Sequence, residues 1–115
     1  PMQEPMQNAF GLPLGHTYRA FAMNLLGVML RSCDQPEEAL PVLEANLAMF
    51  RRFCPDDEEN ILVTRHNLAS CLSDLKRYDE ALVLEREIYE RRVVLHGVSD
   101  EDTISSGLNI VVALS

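Results

Sequence analysis

The sequence predicts an all-α protein built as a row of antiparallel helix pairs, about two and a half repeats in all. Three related blocks recur, NLLGVML from Asn24, NLASCLS from Asn67 and NIVVALS from Asn109, at intervals of 43 and 42 residues. A second pair of blocks, EEAL ending at Leu40 and DEAL ending at Leu82, is independently spaced by 42 residues. Between these blocks apolar residues step by threes and fours, which is the period of a helix with one buried face. A fixed period of this length marks stacked units, each unable to bury its apolar face alone.

The elements follow in order. Residues 1–16 carry no helical period; Phe10, Leu12 and Leu14 in FGLPLG either cover the open face of the first unit or belong to a tag-like remnant. Residues 17–58 form the first repeat. Its first helix is expected from Ala22, Leu25, Leu26, Met29 and Leu30, and its second from Ala39, Leu40, Leu43, Leu47 and Phe50. Asp34 is expected to cap the second helix and Pro36 to occupy its first turn, where a missing N–H costs nothing. Pro41 lies about a turn further in, where it removes a backbone hydrogen bond, so a local distortion is expected. The one-residue difference in spacing falls in the loop around Ser32 to Gln35, where an insertion costs little.

Residues 59–101 form the second repeat. Leu62, Leu68, Ala69, Leu72 and Leu75 stripe its first helix, and Lys76-Arg77 is a polar break. Ala81, Leu84, Ile88 and Leu95 stripe the second helix, widened by Leu82, Tyr89 and Val93. Gly97 is a stop signal. Residues 102–115 then give the first helix of a third, incomplete repeat. The acidic runs PDDEEN and SDED precede first helices, where negative charge suits the helix N-terminus. Ala39 and Ala81 are small at one repeated point, which lets the paired helices approach closely.

A helix–turn–helix unit with L-A…L on its first helix and Y-D-E-A-L opening its second resembles the tetratricopeptide repeat. Leu68, Ala69, Leu72, Tyr78, Ala81 and Leu82 carry the match in the second unit, and Leu25, Leu26, Met29, Pro36, Ala39 and Leu40 hold the same places in the first. The usual period of that family is about 34 residues. The 42-residue period here, with the acidic linker and R-H-N-L-A, resembles the longer-helix variety of kinesin light chains and nephrocystin-like proteins. The resemblance implies a right-handed α-solenoid and a non-enzymatic scaffold that holds a peptide or partner domain on the concave face lined by its first helices.

Composition narrows the partners. A formal charge of −8 opposes nucleic acid and anionic membranes, which are bound through Lys and Arg. No apolar run approaches the roughly 18 residues of a membrane span. Cys33, Cys54 and Cys71 form an odd set without a C-x-x-C pair, which fits a reducing cytoplasmic setting. The chain opens on Pro1, which points to an excised or processed segment.

No reading as an enzyme, and no cofactor or metal, emerges. His16, His66 and His96 are scattered without zinc-ligand spacing. No phosphate-binding G-x-x-x-x-G-K or G-x-S-x-G elbow occurs. Asp56 to Glu59 and Asp100 to Asp102 lack the ordered spacing and glycine of a calcium loop, and helix capping accounts for them. Cys71 sits among core positions and reads as a small buried hydrophobe.

The candidate interaction surface is therefore a helix face. Asn24, Asn67 and Asn109 share one register position, and an amide offers a donor and an acceptor to a peptide backbone. The resemblance implies such a contact; the alternative is that each Asn bonds a neighbouring helix or is solvated. Met23 and Gly27 in the first unit, and His66, Ser70 and Asp74 in the second, flank this row. Gly27 and Ser70 leave room for a close approach. Arg31 and Arg65 attract an acidic ligand or are simply solvated. At the end of the chain Ile110, Val111, Val112 and Leu114 form an apolar helix without its pair. Further repeats, its own chain, or a second copy in a homodimer would cover it.

Overall fold

A computed structural model describes residues 14–114, with side chains from Tyr18 onward except at position 113. Five helices follow one another: α1 (Leu14–Ser32), α2 (Pro36–Phe53), α3 (Glu58–Asp74), α4 (Tyr78–His96) and α5 (Glu101–Leu114). There is no strand among the described residues. Each helix packs on the next, and α1 also packs on α3. The pairs α1/α2 and α3/α4 therefore stack in register, and α5 begins a third pair. The molecule measures 58 × 35 × 19 Å. Its least dimension is that of two helices, each about 10 Å across, so the array is a two-layer solenoid. None of these helices is long and apolar enough to cross a membrane.

The repeat is visible down to the backbone of its turns. Asp34 and Lys76 both have positive φ, 60° and 63°. Behind Asp34, Gln35 N–H donates to the Leu30 carbonyl and Asp34 N–H to Arg31; behind Lys76, Arg77 N–H donates to Leu72 and Lys76 N–H to Ser73. Each is the pattern that closes a helix on a left-handed residue. Asp34 thus ends α1 and does not cap α2; the cap position belongs to Gln35, with Pro36 in the first turn. Elsewhere the acidic runs do cap. Asp57 accepts from Asn60 N–H at the start of α3, and Asp100 Oδ1 from Asp102 N–H at α5. Gly97, at φ 85°, ends α4. The helix α2 continues through Pro41, which stands inside it. Pro41 and Glu37 are both exposed, so the carbonyl left without its N–H faces solvent.

The core lies between the layers. Ala39, Leu43 and Leu47 from α2 meet Leu68, Ala69, Cys71 and Leu72 from α3, with Ala81 from α4. Leu40 and Leu82 are half-buried at its edge. Cys71 is buried, donates its thiol hydrogen to the Pro36 carbonyl at 3.1 Å, and burial pushes its pKa up.

Several expected packing residues lie open instead, among them Leu25 at 52% exposed, Leu26 at 46%, Met29 at 55% and Tyr78 at 53%. The cause is position in the row. In α3 the equivalents of Leu25 and Leu26 are Leu68 and Ala69, enclosed because α3 has α2 on one side and α4 on the other. Among the described residues α1 has no helix before it. Tyr78 occupies the place of Pro36, which is covered by Cys71 of the next first helix; the matching position opposite Tyr78 is 113, next to the end of α5.

Candidate functional site

The asparagine row does not behave as one set. Asn24 is engaged on both sides: its Oδ1 accepts from Asn46 Nδ2 at 2.9 Å, and its Nδ2 donates to Thr64 Oγ1 at 3.1 Å. It ties α1 to α2 and α3 and is no free amide for a ligand. Asn67 has no side-chain hydrogen bond among the described residues and is half-buried. The difference is legible in register. The position matching Asn46, 42 residues on, is Ile88, which has no polar group to offer. Asn109 lies on α5, beside a cavity described below.

Gly27 is not an opening for a peptide either. It is buried, and a Cβ built on it would lie 2.5 Å from Leu43 Cδ2. Its smallness serves the contact between α1 and α2. Met23 is half-buried on the same helix. Arg65 also departs from the expected group, because it lines a cavity of about 290 Å³ with Arg51 and Arg91, bounded by Pro55, Glu58 and Ile61. Burial and the like charge of Arg51 lower its pKa, against a raising influence from Glu87. Glu58 bonds Arg91 at 2.7 Å there, so that cluster is partly compensated.

The remaining candidates do converge. Arg31 from α1, His66, Ser70, Ser73 and Asp74 from α3, Glu85 from α4, and Asn109 with Val112 from α5 surround one cavity of about 200 Å³. All three first helices contribute to it, so it lies where the repeats meet on the first-helix side of the array. Arg31 Nε bonds Asp74 Oδ2 at 2.6 Å, and Arg31 Nη2 reaches Oδ1 at 3.4 Å. The two charges cancel across the junction of the repeats.

Glu85 is the residue that helix periodicity missed. It is 5% exposed, and its Oε1 accepts from His66 Nδ1 at 3.1 Å. Its Oε2 is buried without a hydrogen-bond partner. The signal was again in register, since 42 residues earlier stands Leu43, a fully buried core residue. A carboxylate in a leucine's seat marks a place where the repeat departs from packing alone.

On α5, Ile110 is half-buried while Val111, Val112 and Leu114 are exposed, as are Ile104 and Leu108. The position matching Ile104 in α3 is Leu62, which is fully buried.

A family model described as tetratricopeptide repeat matches residues 18–92, from within α1 to most of α4. No curated protein and no solved structure matches the chain.

Proposed function

The chain belongs to the tetratricopeptide repeat family, and on that premise we propose that it is a protein-interaction scaffold whose first-helix face holds an extended segment of a partner protein. Repeats of this family generally mediate protein–protein contacts and carry no chemistry of their own. One observation supports placing the contact on this face. Helices α1, α3 and α5 converge, with Glu85 of α4, on a cavity lined by seven polar residues and Val112, and its position spans the repeats. His66, Ser70, Asp74, Asn109 and Arg31 are its recognition residues in this reading, with Asn67 beside them. The 42-residue period favours the longer-helix variety of the family.

Selection from a displayed library of random octapeptides tests the reading. Peptides are expected to enrich on the wild-type protein and to lose binding to Ser70→Trp, which fills the face while helicity is unchanged. Peptides that bind both forms alike, or no enrichment at all, overturn it.

The exposed apolar stripe on α5 supports a second reading, in which two copies associate through this helix. Light scattering during size exclusion should then give a mass that rises above 13.0 kDa with concentration, and Leu108→Glu with Val112→Glu should return it to that value. A constant 13.0 kDa at every concentration sinks this reading.

A further inference from the structure

We infer that the cavity over Glu85 is an anchoring pocket for one basic side chain, a lysine ammonium or an arginine guanidinium, of the peptide held on this face. The inference rests on the groove reading above and names what the groove selects.

A carboxylate taken from water needs donors for both oxygens, or its burial is costly. Glu85 has a donor for one: His66 meets Oε1, and Oε2 is left buried and bare. The arginine that lines the cavity is already committed, because Arg31 is held by Asp74 through two contacts. With Arg31 and Asp74 cancelling, the charge that the cavity leaves for a ligand is that of Glu85. A ligand that supplies a charged N–H group completes it, and such bonds are stronger than neutral ones.

Comparison of the two repeats makes the same point from packing. In the first repeat the seat is closed, with Leu43 pressed onto Gly27 so tightly that no Cβ fits. In the second repeat the matching residues are Glu85 and Ser70, and both now line an open cavity of about 200 Å³. One backbone geometry thus carries a packed leucine in one unit and an unfilled acidic pocket in the next. Val112, which also lines the cavity, gives apolar surface for the aliphatic stem of a lysine or arginine whose charged head pairs with the carboxylate.

The octapeptide selection is repeated in parallel on wild type, Glu85→Gln and Glu85→Leu, the last placing the leucine of the first repeat opposite Ser70. The wild-type pool is expected to fix lysine or arginine at one position, and both variants to lose that preference while keeping their helicity. In the best wild-type peptide, lysine to norleucine should weaken binding roughly tenfold or more to wild type and leave binding to Glu85→Gln nearly unchanged. The norleucine comparison on wild type needs no variant to fold. An enriched pool without a basic position, or a basic preference that survives Glu85→Gln, overturns the anchor and leaves the groove standing. If no peptide distinguishes wild type from Ser70→Trp, the groove reading fails and the anchor falls with it.

Discussion

Leu43→Ala should remove about 3–4 kcal/mol of stability, in the middle of the range for buried leucines. Leu43 is fully buried at the centre of the core, and its isobutyl group lies directly against Gly27. Opposite the deleted atoms there is no Cβ to relax into the space, so the cavity persists. Small domains shift by several degrees for each kcal/mol, so the melting temperature should fall by roughly 15–25 °C. Circular dichroism with thermal and urea unfolding would measure it. A loss below about 2 kcal/mol, the floor of the leucine-to-alanine range, would show that the seat collapses. The partner position supplies a second arm. Gly27→Ala alone should cost about 1–2 kcal/mol, because overpacking against Leu43 outweighs the gain in helix propensity. In the double variant the new methyl fills part of the cavity and the clash is gone. The double variant should therefore be more stable than Leu43→Ala alone, a strong departure from additivity.

How much of this was legible in the sequence follows from what each signal measures. The spacing of the asparagine and E/D-E-A-L blocks reports the repeat directly, and the turns at Asp34 and Lys76 repeat it to the hydrogen bond. Apolar periodicity reports which side of a helix avoids water but not what covers it. Leu25 and Leu68 therefore look alike in sequence, and only the neighbours of α1 and α3 separate them. Gly27 misled for the same reason, since its role belongs to Leu43 on another helix. The asparagine row failed at Asn24 because a conserved-looking register does not reveal the facing residue. Asn46 in one pair and Ile88 in the other give the same amide different company. Glu85 and Asn46 were findable, as polar residues standing where the other repeat has Leu43 and Ile88. Comparing the two units position by position exposes them, whereas reading each helix for its stripe passes over them.

Asn46→Asp should be the most damaging single-atom exchange in the molecule, and its damage should depend on pH. Asn46 is fully buried. Its Nδ2 donates to the Ala20 carbonyl at 3.0 Å and to Asn24 Oδ1 at 2.9 Å, while its own Oδ1 has no partner. Aspartate would set carboxylate oxygens against two acceptors and bury an unpaired charge. Rotation of the Asn24 amide can turn its N–H₂ toward the new carboxylate and its oxygen toward the Thr64 hydroxyl, which relieves one contact. The Ala20 carbonyl cannot turn. An uncompensated buried charge costs about 3–5 kcal/mol, and that loss is expected at pH 7. Burial and the facing acceptors raise the folded-state pKa of this aspartate above its unfolded value. The penalty is therefore absent below the unfolded pKa and grows as pH rises through the folded one. Once protonated, the acid O–H donates in place of one lost N–H. Urea unfolding of wild type and variant side by side, at neutral and acid pH, cancels the titrations common to both. The gap between them should narrow toward acid, and a gap independent of pH would contradict this account. Asn46→Ile, which borrows the residue of the second repeat, loses two hydrogen bonds but buries no charge. It should cost less than Asn46→Asp at pH 7 and show no such pH dependence, which separates the effect of charge from that of a broken network.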